Sequence, residues 1–224
     1  MRLGQLLRRI LQPPLWWAYR RYNRSGHWHR IDGLRIYTGP SVFHPRWFLT
    51  TRTLTDFALQ RIQPKSSVLE LGAGNGVLAL SCARKGAVVT ATDINPTAIS
   101  SIEQSAAANQ LEVRALESDL FAAIMKERFD FIFVNPPYFP GKPTNDQERA
   151  FLCGEDYSYF KRFFAQWETV SPSSETYMIL TDACELNAIK AIAQENGCEM
   201  KEVLNKASWG EEHLIFQLQS LAMN

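Results

Sequence analysis

The chain has 224 residues, enough for one full-sized core that buries roughly 70 to 75% of its unfolded surface, and no run of it approaches the ~18 apolar residues of a membrane-spanning helix. Its four cysteines, Cys82, Cys153, Cys184 and Cys198, show neither C-x-x-C spacing nor a preceding secretory segment; this argues against a disulfide framework or a zinc site and reads as reduced thiols in a cytoplasmic setting. Net charge is only +1, yet residues 1–50 carry nine Arg, no Lys and one acid, Asp32, against 15 basic and 22 acidic residues in the rest, so the N-terminal end is expected either to meet an anionic partner, RNA or a membrane surface, or to dock on an acidic face of the same protein.

Taken in order, residues 2–11 set Leu3, Leu6, Leu7, Ile10 and Leu11 on one helical face, and Pro13 and Pro14 stop the helix. Leu15 to Tyr22 is aromatic and basic, with Trp16, Trp17, Tyr19, Arg20 and Arg21. Such a segment suits three uses: capping the core, lying at a membrane surface as a peripheral contact, or gripping RNA. Its arginine richness also resembles a transit peptide, although serine is scarce. Residues 1–30 are therefore expected to form a basic N-terminal extension, and residues 31–224 a catalytic domain.

Residues 31–43 alternate as a strand does, and Phe43-His44-Pro45 leads to a helix over about Thr50 to Arg61. A strand-and-helix rhythm follows: strand Val68–Leu71, helix Val77–Lys85 ended by Gly86, strand Ala87–Thr92, a helix opened by Pro96 and running to about Ala108, then strands Glu112–Leu116 and Phe129–Val134. A helix over Asp156–Val170, strand Tyr177–Thr181, helix Glu185–Asn196, and strands Glu199–Asn205 and His213–Gln219 complete the pattern. Alternation of this kind predicts an α/β fold, a mainly parallel sheet covered on both faces, with the last pair supplying an antiparallel hairpin.

In such a sheet ligands bind beyond the carboxyl ends of the strands, where the first strand-to-helix turn needs glycines for close backbone approach. Glu70-Leu71-Gly72-Ala73-Gly74-Asn75-Gly76 supplies them. A dinucleotide fingerprint would need glycine at position 77, where Val77 stands, which weighs against a nicotinamide dehydrogenase. Asp93, at the end of the second strand, can accept both ribose hydroxyls of a nucleoside. Asp119, after the third strand, offers a further carboxylate. Asn135-Pro136-Pro137-Tyr138 ends the fourth strand. There the Asn135 side-chain oxygen and the Pro136 carbonyl can take hydrogen bonds from both N–H groups of a planar NH2 while Tyr138 stacks on it.

The E-x-G-x-G-x-G pattern resembles motif I of S-adenosylmethionine-dependent methyltransferases of Rossmann-like fold. With Phe43-His44-Pro45, Asp93, Asp119 and Asn135 to Tyr138 in this order, residues 35–219 look like the HemK-type family, which includes release-factor glutamine methyltransferases and relatives acting on adenine N6. The resemblance implies a seven-stranded class I methyltransferase fold, S-adenosyl-L-methionine as cofactor, and transfer to a planar nitrogen, with a glutamine-like protein side chain ahead of a nucleobase or a small molecule. An adaptor that binds cofactor without catalysis is the alternative from another class. By resemblance Asp119 accepts from an adenine amino group with Ile94 and Leu120 flanking the ring, Phe43 and Pro45 line the cofactor pocket, and Thr50 or Thr51 contacts the methionine carboxylate. The loop from Phe139 to Arg149 is expected to select the acceptor. His27, His29, His44 and His213 have no metal-site spacing, so no metal is assigned.

Overall fold

The computed structural model describes residues 25–42, 49–170, 173–208 and 210–221. The helix expected over residues 2–11, the aromatic segment to Tyr22, and Phe43, His44 and Pro45 lie outside the described residues. A two-stranded hairpin, β1 (His27–Ile31) and β2 (Leu34–Thr38), comes first. After it come α1 (Leu49–Arg61), β3 (Ser67–Leu71), α2 (Val77–Arg84), β4 (Val88–Asp93), α3 (Pro96–Asn109), β5 (Arg114–Glu117) and β6 (Phe131–Val134). Then follow the short α4 (Asp146–Arg149), α5 (Ser158–Val170), β7 (Glu175–Thr181), α6 (Leu186–Glu195), β8 (Cys198–Ser208) and β9 (Glu211–Ser220). Strands β3 to β9 form one seven-stranded sheet in the order β5-β4-β3-β6-β7-β9-β8. The first five in that order run parallel, and β9 is antiparallel to both β7 and β8.

Strand alternation divides the core into two layers. Leu69, Leu71, Ile132, Val134, Met178 and Leu180 face α5 and α6, packing with Phe160, Phe163, Phe164, Trp167 and Ile189. Val68, Phe133, Tyr177 and Ile179 face the other way, onto Leu54 and Phe57 of α1, Leu78 and Cys82 of α2, and Ile102 of α3. Burial on both faces explains why the central strands read as continuous apolar runs.

Two elements differ from the sequence expectation. The alternating stretch over residues 31–43 is the second half of a hairpin that turns at Asp32 (φ 46) and Gly33 (φ 84). Both residues sit in the left-handed region, the conformation of a two-residue Asp-Gly turn whose twist matches its strands. The third sheet strand starts at Arg114 rather than Glu112: Gln110 takes φ 56 as the C-cap of α3, and the Leu111 N–H returns to the Ala106 carbonyl at 3.0 Å. The closing turn of α3 thus uses the residues before the strand. No described helix is long and apolar enough to cross a membrane.

Candidate functional site

Strand order reverses direction at β3, whose parallel neighbours are β4 on one side and β6 on the other, and there the loops beyond the carboxyl ends part to leave a crevice. A cleft of about 360 Å³ opens at this place, within the ~300 to 1,000 Å³ range of small-molecule sites.

The glycine loop after β3 forms its floor. Gly72, Gly74 and Gly76 have φ of 69°, 56° and 70°, so the backbone winds through the left-handed region three times in five residues. The glycines do different jobs. A Cβ on Gly72 would meet nothing within 4 Å, whereas one on Gly76 would lie 2.7 Å from Ile102 Cγ1. Gly72 therefore leaves room beside the cleft, and Gly76 lets α2 start against α3. Asn75, buried behind the loop, donates to Thr38 Oγ1 at 3.2 Å and ties the loop to β2.

Asp93, at the end of β4, clasps this loop. One carboxylate oxygen accepts from the Gly74 N–H at 2.8 Å, and the other from the Asn95 N–H at 2.9 Å. The Asn95 side chain caps α3 by accepting from the Thr97 N–H at 2.9 Å, with Pro96 opening the helix. Glu70 is buried one step below the glycines and accepts from the Ala79 N–H at 2.8 Å. Burial pushes its carboxyl up to about 8; the Ala79 bond pulls the other way, and the nearby Asp93 charge adds to the rise.

After β5 the chain makes a tight turn in which Ser118 Oγ donates to the Leu120 carbonyl at 2.8 Å. Leu120 has φ 51, a conformation that costs a branched side chain and is held here by that serine bond. It keeps Leu120 and Asp119 on the cleft wall. Asp119 does not stand alone: Arg162 of α5 pairs with it at 2.5 Å. Beside Arg162, Tyr159 lines the same wall. Its phenol is raised by burial first and then by the Asp93 and Asp119 charges, and so it remains a neutral ring.

Asn135 to Tyr138 form another wall of the cleft. The Asn135 amide Nδ2 donates to Thr51 Oγ1 at 3.3 Å and Thr50 Oγ1 at 3.4 Å, both in the first turn of α1. These bonds hold the amide by its nitrogen, against two threonines that line the same cleft. From Phe139 the chain doubles back on Phe151 to Gly154: the Phe139 N–H donates to the Phe151 carbonyl at 2.9 Å, the Cys153 N–H to the Phe139 carbonyl at 2.9 Å, and Gly141 and Gly154 exchange bonds of 3.3 and 3.0 Å. Pro143, Arg149 and Phe151 bring this flap to the cleft edge.

Of the residues singled out from the sequence, Thr50, Thr51, Glu70, Gly72, Ala73, Gly74, Asn75, Asp93, Ile94, Asp119, Leu120 and Asn135 to Tyr138 line the one cleft. Gly76 supports it from behind, and Phe43 and Pro45 are outside the described residues. Tyr159 and Arg162 were missed, whereas Arg149 belongs to the loop expected over the acceptor. Tyr159 and Arg162 are three apart in a helix and share a face, but nothing in their spacing says that this face looks into the crevice rather than at solvent.

The model of the family described as Methyltransferase small domain matches residues 34–153, just over half of the chain. A release factor glutamine methyltransferase of Xylella fastidiosa is 38% identical over 120 residues, covering 51% of this chain and 42% of its own length. The ribosomal RNA small subunit methyltransferase C of Cronobacter sakazakii is 35% identical over 130 residues, covering 55% of this chain and 37% of its own. The chain spans about half or less of the length of the curated relatives it matches. Among solved structures, a T. thermophilus 16S rRNA methyltransferase determined with AdoMet and guanosine superimposes with TM-score 0.59 at 23% identity, over 86% of this chain and 50% of that one. An E. cuniculi complex that methylates a translation termination factor gives TM-score 0.60 at 22% identity, over 80% of this chain and 99% of that one. At such identities these two establish the fold.

Proposed function

Because the chain belongs to the methyltransferase small domain family, we propose that it is an S-adenosylmethionine-dependent N-methyltransferase whose acceptor is a planar NH2 group, that of an amide side chain or of a nucleobase. The observation that carries this reading is the Asn135 side chain, held through its amide nitrogen by two threonines in the same cleft as the glycine loop.

The residues fit the cofactor. Backbone at Gly72 is open to the cleft with no neighbour where a Cβ would stand, which suits close approach of the methionine end. Asp93 carries a fixed carboxylate whose remaining lone pairs suit ribose hydroxyls. Asp119 and Leu120, across from Ile94, suit an adenine ring and its amino group, with Arg162 holding the Asp119 carboxylate in place. When bound, S-adenosylmethionine supplies an electrophilic methyl group on a sulfonium sulfur.

An amide or nucleobase nitrogen is a poor nucleophile because its lone pair is delocalised, so the protein's contribution is placement and charge stabilisation. Asn135 Oδ1 and the Pro136 carbonyl each accept one N–H of the acceptor, which fixes the nitrogen and stabilises the positive charge that grows on it. Pro136 has no N–H of its own to compete. Tyr138, in edge contact with Phe139 at 4.8 Å between centroids, offers a ring for the planar group to lie against. Glu70 is not assigned as the base: it is buried beneath the glycine loop, and its carboxyl oxygen is taken up by the Ala79 N–H. The surplus proton on the methylated nitrogen is acidic and passes to water at the cleft mouth.

Asn135→Ala is the direct test. Losing a positioned acceptor is expected to lower kcat by roughly 10² to 10³, while the Kd for S-adenosylmethionine, measured by calorimetry, stays within a few-fold. Turnover equal to wild type would remove Asn135 from the chemistry. The substrate for the assay comes from incubating the enzyme with methyl-labelled cofactor and lysate fractions of protein, RNA, DNA and small molecules.

A further inference from the structure

The β1–β2 hairpin has one face packed on the core and one face that no other described residue covers. Inward, Leu34 and Ile36 pack with Val77, Leu80 and Ala106. Its backbone is laced to α3: the Arg35, Tyr37 and Gly39 N–H groups donate to Asn109 Oδ1, Ser105 Oγ and Ser101 Oγ at 2.9, 2.8 and 3.0 Å. Outward stand Trp28, Arg30, Arg35 and Tyr37. The strand register sets Trp28 opposite Tyr37 and Arg30 opposite Arg35. The two rings are 5.3 Å apart, and the Arg35 guanidinium lies 5.2 Å from the centre of the Trp28 ring. Trp28 is 47% exposed, and both arginines are exposed.

This face is costly as it stands. Like charges directly opposite each other across two strands are destabilising, and neither guanidinium has an acidic partner among the described residues. A large aromatic surface is open to water beside them. An anion lying between the arginines, joined to a flat group that stacks on the Trp28 and Arg35 pile, would relieve both costs together. A polynucleotide strand has that chemistry, with a charged backbone and a π-face on every base.

The face is also coupled to the cleft. After Thr38 the chain turns, the Val42 N–H donating to the Gly39 carbonyl at 3.3 Å, and brings Ser41 and Val42 to the cleft wall. Asn75 in the glycine loop bonds to Thr38 at the end of β2. Bilayer headgroups would find the same arginines but would gain nothing from a rigid link to a cleft shaped for planar groups.

We propose that the outer face of the hairpin is a docking platform for single-stranded RNA, with Trp28 and Arg35 stacking a base and Arg30 and Arg35 holding adjacent phosphates, so that a neighbouring nucleotide enters the cleft. The choice of a nucleobase as acceptor rests on the planar-nitrogen reading above; the docking itself does not.

The experiment measures fluorescence anisotropy of a labelled, mixed-sequence single-stranded RNA titrated with the full chain, without cofactor, between about 50 and 200 mM salt. Trp28→Ala is expected to weaken binding roughly 5- to 100-fold and Trp28→Phe to recover most of it. Arg30→Ala combined with Arg35→Ala is expected to reduce the slope of log affinity on log salt by about 1.4, the contribution of two single-strand phosphates. Melting temperature identifies any variant that fails to fold, and Arg30→Glu, a change on an exposed side chain, then replaces it and should weaken binding further. Affinity and slope equal to wild type in these variants would overturn the proposal, as would arginine-dependent sedimentation with phosphatidylserine vesicles in place of RNA binding. Asn135→Ala separates the two readings. Turnover that survives it, with RNA binding still lost in the hairpin variants, defeats the catalytic reading alone. Turnover lost in it, with RNA binding intact in the hairpin variants, defeats the docking alone.

Discussion

The glycine loop shows how similar residues divide labour. Gly72 and Gly76 share a left-handed backbone, with φ of 69° and 70°, so alanine strains the chain about equally at either, by roughly 1 to 2 kcal/mol. Their surroundings differ. At Gly76 the methyl would stand 2.7 Å from Ile102 Cγ1, in a core that resists extra volume, which adds about 1 to 3 kcal/mol. At Gly72 it would project into open cleft. Gly76→Ala is therefore expected to lower the melting temperature clearly more than Gly72→Ala, while Gly72→Ala raises the Kd for S-adenosylmethionine clearly more than Gly76→Ala does in protein that remains folded. Calorimetric melting and titration of both variants check this, and equal loss of affinity in the two would contradict the division. Glycine spacing made the loop legible in the sequence, but Ile102 as the partner of Gly76 was not, because that contact joins elements far apart in the chain.

At the scale of elements, legibility followed the locality of the signal. Helices α1, α2 and α3 and the central strands are marked by caps, apolar periodicity and turn residues within each segment, so they lie where the pattern puts them. The Asp32-Gly33 turn was equally local, flanked by alternating residues, and its hairpin could have been read. Two features escaped because they depend on what packs against what: the bond of Asn135 to the first turn of α1, and Arg162 of α5 reaching Asp119. The first gives a prediction for a pair of elements. Thr50→Val together with Thr51→Val removes the hydroxyls that orient the Asn135 amide but keeps the β-branched shape of each residue. The expected result is a fall in kcat with the cofactor Kd within a few-fold of wild type, and a stability loss of no more than about 1 kcal/mol, because the part-buried Asn135 amide lines the cleft and can bond water instead. If kcat is unchanged, Asn135 is held by β6 alone.

For the whole molecule, the buried ionisable groups set opposing pH trends. Burial raises the Glu70 carboxyl from 4.5 to about 8, so between those values the folded state binds more protons than the unfolded chain, and stability falls as pH rises. Burial also lowers the His213 imidazole from its ordinary 6.5; its Nδ1 shares a hydrogen bond of 2.7 Å with Thr53 Oγ1. There the unfolded chain binds more protons, and stability instead rises with pH until about 6.5. The His213 rise ends at about 6.5, which leaves the Glu70 decline unopposed by it between about 6.5 and 8. One proton released over that window corresponds to about 2 kcal/mol, or roughly 4 to 8 °C in melting temperature for a chain of this size. Glu70→Gln keeps the shape and removes the charge, so its melting temperature is expected to stay level from about pH 6.5 to 8 and to exceed that of wild type at the upper end. Parallel profiles for the two proteins would mean that Glu70 is already ionised in the fold, its charge balanced by the Ala79 N–H and the start of α2. A bound sulfonium cofactor acts against the decline, since a cation near the glycine loop favours the ionised carboxylate. With saturating S-adenosylmethionine the wild-type profile should therefore flatten toward that of Glu70→Gln, whereas a neutral nucleoside should leave its slope unchanged.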